Sequence, residues 1–200
     1  MYGVFRKGYD QIEIKFLTPR LLIRPYTIAD TDQVWRVVRS PDIYATTAYI
    51  PRKYPRSRAE WWIRMVRSSM ENRTSFEFGM FERDTGVYVG NIGIINVRKD
   101  ACLASIAYYV DPEKWGKGYA TEAGEAMLKF AFQTLQLYRV AGTGMLHNMA
   151  SRRVMEKLGF RFEGIARSEL YKDGQFIDVA HLAVLKPEWE ARMHRKENQK

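Results

Sequence analysis

The 200-residue chain is 46% hydrophobic and 14% aromatic, which excludes a disordered protein and predicts one globular unit with a sizeable core. Its formal net charge of +9 predicts a surface that attracts anions, although the sign alone does not distinguish a phosphorylated cofactor from nucleic acid or an acidic membrane. The single cysteine, Cys102, excludes an intrachain disulfide, and the three isolated histidines lack zinc-ligand spacing, so we expect no metal.

Residues 1–17 lack the uninterrupted apolar stretch of a signal peptide, and no later stretch has transmembrane length. We therefore expect a cytoplasmic protein that has no membrane partner. The one clear change in composition is a charged stretch at the C-terminal end. It predicts a single domain over residues 1–187 and a charged tail over residues 188–200.

The first part of the chain is predicted to form a strand followed by two helices. Residues 21–25 have the pattern of a short strand. Thr27 and Asp30 have capping-box spacing, which predicts a helix that runs toward Val38. A second capping box at residues 57–60 precedes apolar residues at helical spacing, and so predicts a second amphipathic helix.

The middle of the chain changes to the period of a strand. Residues 76–80 alternate between apolar and other side chains, residues 84–86 form a turn signal, and residues 87–97 predict the returning strand. A further strand over residues 102–110 ends at an Asp-Pro pair, because proline cannot donate to a ladder. Three antiparallel strands should therefore lie side by side.

The last part is predicted to contain a long helix, a strand, a short helix and a hairpin. These elements cover residues 119–135, 138–146, 150–158 and the paired strands 160–167 and 176–185. Gly159 followed by Phe160 has the pattern of a glycine cap that ends the short helix. The order of all these elements predicts an α+β, or mixed α/β, fold.

Two glycines lie between a strand and the long helix. Gly116 and Gly118 permit positive φ and let an anion approach the main chain without meeting a Cβ. Gly118 has no side chain to cap the first N–H groups of the helix, so these donors predict an anion site beside Lys114 and Lys117. On the glycines alone, a flexible connection with solvated lysines explains the segment equally well. Neither a Walker loop nor a dinucleotide fingerprint matches the spacing.

The run Trp115-Gly-Lys-Gly-Tyr-Ala-Thr-Glu-Ala resembles the coenzyme A signature of the GNAT superfamily of N-acetyltransferases. The run from Asn148 to Phe160 is similar to the superfamily's second motif. The opening Leu-Thr-Pro-Arg-Leu-Leu-Ile-Arg-Pro resembles the branch that acetylates the N-termini of ribosomal proteins, so the resemblance covers residues 17–186. It implies a central, mostly antiparallel sheet of about seven strands with helices on both faces, and strands that splay at the cofactor site.

The resemblance also implies the reaction, which is direct transfer of an acetyl group from acetyl-coenzyme A to a primary amine. The acceptor would be the N-terminal amine of a ribosomal protein, and the basic surface would favour proximity to the ribosome or RNA. Pantetheine would insert between the splayed strands, and the main chain from Trp115 to Ala120 would hold the pyrophosphate. The implied cofactor-binding residues are Tyr109, Val110, Trp115, Gly116, Lys117, Gly118, Tyr119, Ala120, Asn148, Ser151 and Arg153.

The resemblance leaves the catalytic groups less well defined. Met155 stands where many relatives carry the tyrosine that protonates the leaving thiolate, so Ser151 is the candidate general acid. Glu169 is the candidate base, because most amines are protonated near pH 7, although a solvated strand glutamate explains it equally well. Asn148 can also be explained as the N-cap of the helix that follows. Cys102 is interpreted as a small buried residue rather than a nucleophile.

Trp61, Trp62 and Tyr171 are the candidate substrate-binding residues. Two adjacent helical tryptophans point about 100° apart, so one can line an acceptor groove while the other packs in the core. Core packing is the more common role for such a pair.

Two other functions are compatible with the sequence. One is acetylation of a small amine such as a polyamine or an aminoglycoside. The other is a basic RNA-binding module without catalysis, in which tyrosines and cations between residues 44 and 58, with Tyr2, would contact RNA. A solvated loop and helix face explains those residues as well. Either a monomer or a homodimer is compatible with the chain.

Overall fold

The computed structural model describes residues 14–198, which form one eight-stranded sheet and six α-helices. The strands are β1 (Phe16–Leu17), β2 (Leu21–Arg24), β3 (Phe76–Glu82), β4 (Tyr88–Arg98), β5 (Leu103–Val110), β6 (Arg139–Met145), β7 (Arg161–Lys172) and β8 (Gln175–Leu185). The helices are α1 (Thr31–Val38), α2 (Pro41–Thr46), α3 (Arg56–Glu71), α4 (Tyr119–Lys129), α5 (Met149–Lys157) and α6 (Lys186–Glu197).

The sheet has the strand order β1-β2-β3-β4-β5-β6-β8-β7. Among the described strands only β5 and β6 run parallel, and every other neighbouring pair is antiparallel. The predicted mixed α/β fold with a mostly antiparallel sheet is therefore confirmed. The sequence missed the two-residue strand β1, which brings the number of strands to eight.

The parallel pair β5–β6 separates soon after it begins. Its ladder joins only three residue pairs, from Leu103–Arg139 to Ser105–Ala141. Beyond them β5 continues to Val110 and β6 continues to Met145 without pairing to each other. Because parallel strands place their carboxyl ends at the same edge, a gap opens there, and the predicted splay is confirmed.

Helices cover both faces of the sheet. On one face Phe78, Ile92 and Met127 of α4 belong to a single buried cluster. On the other face Tyr88 packs in a second cluster with Ile63 of α3 and other side chains of α1 and α3. Burial of each large apolar side chain contributes about 1.5–3 kcal/mol, so each layer holds its helices against the sheet. The gap between β5 and β6 lies between these two layers.

Two helix starts differ from the prediction. Helix α3 begins at Arg56 with Pro55 at its N-cap, so the capping box predicted at residues 57–60 is wrong. Pro41 does not only end the preceding helix, because it opens the short helix α2. Proline is favoured at the first helical position, because an N–H group at that position has no partner within the helix. Ser40 caps α2 by accepting the Asp42 N–H.

The short helix α5 ends as predicted. Gly159 has φ of +92°, and its N–H donates to the Glu156 carbonyl at 3.0 Å. The Phe160 N–H donates to the Met155 carbonyl at 3.0 Å. These two bonds are those of a Schellman cap, which favours glycine at the left-handed position.

Three other segments bear on the sequence interpretation. Cys102 is exposed, with φ of +52°, in the turn before β5, so its prediction as a buried residue is wrong. The predicted helix over residues 119–135 is α-helical only to Lys129, and a π-helical turn covers Phe130–Thr134. Helix α6 begins at Lys186 and so crosses the domain boundary predicted at residue 187.

Candidate active site

A cavity of about 840 Å³ occupies the gap between β5 and β6. It is lined from one side by α3, β3 and β4, and from the other by α5, β6 and β7. At one end it reaches the loop that precedes α4, where Gly116 and Gly118 line it. The cavity therefore connects a helix N-terminus to both faces of the sheet.

The loop before α4 has the geometry of an anion cradle. Gly116 and Gly118 have φ of +75° and +80°, and Gly118 is the N-cap of α4 with no side chain bonded to the cap. A Cβ built on Gly116 would meet nothing within 4 Å, so the space above the main chain is open. Uncapped N–H groups at a helix start favour a phosphate, and the residues present fit the pyrophosphate of coenzyme A.

Side chains around the cradle hold it to the sheet. The Trp115 indole N–H donates to the Val110 carbonyl at 2.7 Å, which ties the loop to the end of β5. Arg20 donates to the Lys117 carbonyl at 2.8 Å and pairs with Glu122 at 2.7 Å. The sequence predicted that the main chain of Trp115 helps to hold the pyrophosphate. In addition, the Trp115 side chain positions the loop.

Lys114 is an anchor rather than a free cation. Its Nζ lies 2.7 Å from Oε1 of Glu82, and the Tyr119 hydroxyl donates to the same oxygen at 2.8 Å. Hydrogen bonds from Lys114, Thr85 and Tyr119 lower the pKa of Glu82 to about 2. One carboxylate thus joins β3, the segment before the cradle and the first residue of α4.

The first turn of α5 brings Ser151 to the cavity. Asn148 caps this helix, since its Oδ1 accepts the Ser151 N–H at 3.1 Å, and its Nδ2 donates to the Thr46 carbonyl at 3.1 Å. The N-cap interpretation of Asn148 is confirmed, and the residue also lines the cavity. Arg153, on the same helix, lines the cavity as well.

Ser151 is paired with Tyr108 of β5, which the sequence did not single out as a site residue. The two hydroxyl oxygens are 2.8 Å apart, and the Tyr108 hydroxyl donates to the Ser151 carbonyl at 2.9 Å. With its single proton committed to that carbonyl, Tyr108 accepts from the serine hydroxyl. Burial raises the pKa of Tyr108 to about 12, so the phenol is neutral at physiological pH.

Met155 lies one turn farther along α5. It is 2% exposed and packs over Gly142 of β6, where an added Cβ would lie 2.5 Å from its sulfur. A thioether has no proton to donate. Met155 therefore cannot supply a proton, whereas the hydroxyl pair of Ser151 and Tyr108 on this side of the cavity can.

The structure separates the three predicted substrate-binding residues. Trp61 and Trp62 both line the cavity, but Trp61 is 60% exposed while Trp62 packs edge-on against Tyr26 at 5.1 Å. Tyr171 is 64% exposed, its ring lies tilted against that of Phe176 with centroids 5.0 Å apart, and it does not line the cavity. The tryptophan pair thus divides between surface and core, as its helical spacing indicates.

Glu169 of β7 lines the cavity, and its Oε2 is hydrogen-bonded to Nε2 of His181 of β8. The sequence analysis gave this histidine no role. It holds the Glu169 carboxylate at the cavity wall. Asp178 of β8 accepts the Ser168 N–H at 2.8 Å, which fixes the adjoining backbone of the bulged strand β7.

A chain of hydrogen bonds runs beneath the other end of the cavity. Asn91 donates to Glu77 at 2.9 Å and accepts from Tyr26 at 2.8 Å. Tyr26 is 3.0 Å from the Tyr88 hydroxyl, which is 2.9 Å from the Tyr109 hydroxyl. The sequence missed this network, because Glu77 alternates with core phenylalanines and its face of the strand would be read as solvent-exposed.

The basic and aromatic residues between 44 and 58 are largely engaged within the chain. Arg52 lies over Tyr44 at 5.3 Å, and Arg58 lies over Tyr54 at 5.6 Å. Arg56 pairs with Asp32 at 2.5 Å. Tyr2, which completed the RNA-binding hypothesis, lies outside the described residues.

Over residues 14–198, no cluster of histidine, cysteine or acidic side chains could hold a metal ion. In the same part of the chain, no helix combines the length and apolar character needed to span a bilayer.

Comparison with protein families identifies one domain. The acetyltransferase (GNAT) domain family matches residues 20–161. This range includes the cradle before α4, the gap between β5 and β6, and helix α5.

Individual relatives are similar over most of the chain. YoaA of Bacillus subtilis (strain 168), an uncharacterized N-acetyltransferase, is 27% identical over 172 residues, which cover 85% of this chain and 96% of that protein. The ribosomal protein uS5 alanine N-acetyltransferase of Escherichia coli (strain K12) is 29% identical over 187 residues, or 88% and 93% of the two chains. RimJ of Mycobacterium smegmatis, solved in complex with CoA-disulfide, has a TM-score of 0.75 and 25% identity, with 84% and 83% coverage.

Proposed function

The chain belongs to the GNAT acetyltransferase family, and on that premise we propose that it transfers the acetyl group of acetyl-coenzyme A to the N-terminal amine of a ribosomal protein. The observation that carries this proposal is the gap between β5 and β6, which leads from the uncapped start of α4 to the hydroxyl of Ser151. A thioester bound along that path would present its carbonyl between the two sheet faces. An acceptor amine could then reach it from the side of α3.

The cofactor end of the site would use mostly backbone groups. N–H groups of Gly118, Tyr119 and Ala120 would hold the pyrophosphate, because the start of α4 has no side-chain cap. The unpaired edge of β5 near Tyr109 and Val110 would hydrogen-bond to the pantetheine arm, and a backbone N–H there would stabilise the oxyanion. Asn148 and Arg153, which line the cavity, would contact the arm and the phosphates.

The transfer itself needs two proton movements. As the amine nitrogen bonds to the thioester carbon, the nitrogen loses a proton and the carbon–sulfur bond breaks. Glu169 would accept the amine proton, directly or through water. Ser151 would donate its hydroxyl proton to the departing thiolate, which leaves as the neutral thiol, and the serine oxygen would take a proton back from water in the cavity.

The role of Glu169 is tested by Glu169→Gln, which keeps the size of the side chain but removes its basicity. We expect kcat to fall about 100-fold, within the usual range for loss of a general base, while the affinity for acetyl-coenzyme A is unchanged. Steady-state kinetics and calorimetric titration measure the two quantities. An intact rate in this variant would remove Glu169 from the mechanism.

The proposed acceptor is supported by the relatives and by charge. The Escherichia coli relative is an alanine N-acetyltransferase for a ribosomal protein. The net charge of +9 favours association with RNA-bearing assemblies, where such acceptors occur. A cytoplasmic location, and either a monomer or a homodimer, stay predictions.

The experiment that tests the proposal has two parts. Acetyl-coenzyme A should raise the thermal midpoint of the protein, and free thiol should be released with peptides that begin with alanine or serine. Polyamines and aminoglycosides are the comparison acceptors. Turnover of these small amines with none of the peptides would replace the proposed acceptor by a small molecule, and no thermal response to the coenzyme would overturn the cofactor assignment.

A further inference from the structure

Glu77 is a carboxylate in the cavity with no cation beside it. It lies on β3, on the face of the sheet that α3 covers, and it lines the cavity. One of its oxygens accepts the Asn91 amide N–H at 2.9 Å. Within residues 14–198 the other oxygen has no hydrogen-bond donor, and no lysine, arginine or histidine forms an ion pair with Glu77.

Phenols and an indole surround Glu77, and Arg58, which also lines the cavity, lies over the Tyr54 ring at 5.6 Å without pairing with Glu77. Tyr26, Tyr54 and Tyr109 are the titratable groups close enough for their pKa values to be raised by its charge. Burial is the largest effect on Glu77 itself and raises the pKa of its carboxyl group. Glu77 is half-buried, and a carboxylate partly removed from water with no cation beside it is unfavourable, so a cation entering the cavity would offset that cost.

A glycine directs the Glu77 side chain toward the gap. Gly93 of β4 is the register partner of Glu77, and on its other side it pairs with Ala107 of β5. A Cβ added to Gly93 would lie 2.7 Å from Cγ of Glu77. Because cross-strand Cβ atoms are normally about 5 Å apart, the side chain leans over Gly93 toward β5, the strand that borders the gap.

The Asn91 amide is held in one orientation by the tyrosine network. Its oxygen accepts from Tyr26 at 2.8 Å, which leaves its N–H group to donate to Glu77. This arrangement fixes one carboxylate oxygen and leaves the other facing the cavity. Trp62, Tyr54 and Tyr109 line the same end of the cavity.

A carboxylate among aromatic rings is the chemistry that binds an alkylammonium ion. The carboxylate supplies the counter-charge, and the ring faces attract a cation through their negative quadrupole face. We propose that Glu77, with Trp62, Tyr54 and Tyr109, binds the ammonium form of the acceptor's primary amine as it enters from the side of α3. This inference rests on the proposed function, and it assigns acceptor binding to Glu77 while Glu169 serves proton removal.

The test is a cycle of two proteins and two ligands. Wild type and Glu77→Gln are titrated with an alanine-initiated peptide and with the same peptide lacking its α-amino group, each in the presence of coenzyme A. Relative to wild type with the amine-bearing peptide, we expect an affinity about 30-fold or more lower for Glu77→Gln with that peptide, and likewise for wild type with the peptide that lacks the amine. Glu77→Gln with the second peptide should bind only a little more weakly than these two. Glu71→Gln, an exposed change at the end of α3, should bind both peptides as wild type does.

Stability separates binding from a structural role. Glu77→Gln keeps an acceptor for the Asn91 amide while removing a desolvated charge, so its thermal midpoint without ligands should equal or exceed that of wild type. Its KM for acetyl-coenzyme A should be unchanged, while its KM for the peptide rises. Equal losses for both peptides, or unchanged affinity for the peptide amine, would overturn the proposal.

The two proposals fail in different ways. If wild type releases no thiol with peptides, the proposed acceptor is wrong. The ammonium site can still be tested by comparing the binding of n-butylammonium with that of n-butanol. Preference of wild type for n-butylammonium, abolished in Glu77→Gln, supports the site. Equal binding of the two probes by wild type would reject it.

Discussion

Ser151 and Tyr108 bring two hydroxyl groups together beyond the part of β5 that pairs with β6. The arrangement needs an N-capped helix on one side and a strand free of its neighbour on the other. Tyr108 is held neutral by burial, so it acts as a hydrogen-bond acceptor for the serine and not as a negative charge. The proton that can move toward a leaving thiolate is therefore that of Ser151.

Ser151→Ala should lower kcat about 100-fold and leave the KM for acetyl-coenzyme A within about threefold of wild type. The hydroxyl would act on the leaving group in the transition state, while the backbone N–H that Asn148 caps is retained. Stopped-flow measurement of thiol release gives the chemical step. In the companion variant Tyr108→Phe, which keeps Ser151, we expect a smaller loss of rate, and equal losses would assign the proton to the phenol.

The residues that sequence could predict are those whose role depends on backbone geometry. Gly116 and Gly118 were found because positive φ before a helix follows from local spacing. Tyr108 and Glu77 were missed, because their roles arise from long-range contacts with Ser151 and Asn91 that no local pattern encodes. The predicted ligand contacts stay predictions until a complex is measured.

At the scale of elements, the cradle before α4 differs from an ordinary turn in what lies above it. Gly86, in the turn between β3 and β4, has φ of +68° and open space around its Cα, as Gly116 does at +75°. Only Gly116 lines the cavity. The two glycines therefore carry the same backbone constraint in different surroundings.

Gly116→Ala and Gly86→Ala form a matched pair. Each should lower the unfolding free energy by about 1 kcal/mol, because an alanine is forced into the left-handed region. Only Gly116→Ala should also weaken coenzyme A binding, by about tenfold or more, since the new methyl group occupies the path of the phosphates. Calorimetric titration and chemical denaturation measure the two effects. Equal coenzyme affinity in the two variants would contradict the cradle.

Glu82 joins three elements, and its contribution should depend on pH. Its pKa is lowered from 4.5 to about 2 in the folded protein, so its stabilising effect is fully present above pH 4.5 and is lost as pH falls toward 2. The difference in thermal midpoint between wild type and Glu82→Gln should be constant from pH 8 to about 5 and then shrink. A difference that grew on acidification would contradict this assignment.

The sequence predicted the elements in which apolar residues recur at a regular helical or strand spacing. It failed for a very short helix and for the exact residue at which a helix begins. The hairpin of β3 and β4 and the helix α4 follow from clear periodicity. Helix α2 has only six residues, and α3 starts at Arg56 with Pro55 at its N-cap, two residues before the N-cap that the box at residues 57–60 suggested. Such boundaries depend on single hydrogen bonds, which composition does not determine.

At the scale of the whole molecule, α6 is connected to the core by the buried side chain of Trp189, with Met193 partly buried against the same cluster. Trp189 is 4% exposed and packs against Phe132 at 5.4 Å. Arg192 and Lys196 of the same helix pair with Glu125 of α4. The sequence analysis missed these contacts, because the charged composition of residues 188–200 indicated a solvated tail. The division into a domain over residues 1–187 and a tail stays a prediction.

Trp189→Ala tests how far α6 contributes to stability. We expect a loss of about 3 kcal/mol or more in unfolding free energy, from the removed burial and the cavity that remains. Trp189→Phe should change stability much less, because the indole N–H has no hydrogen-bond partner among the described residues. Urea denaturation gives both values. An unchanged midpoint in Trp189→Ala would show that α6 adds little to the fold.

The sheet consists of two parts that are joined along one short seam, the three-residue ladder between β5 and β6. The first part, β1 to β5, bears the phosphate cradle, and the second part, β6 to β8, contains the β7–β8 hairpin with Glu169. Since so few hydrogen bonds cross the seam, changes in the hairpin need not disturb the cradle. Substitutions in β7 and β8 can therefore alter the Glu169 side of the cavity while the cradle, and the aromatic end of the cavity with Glu77, keep their geometry.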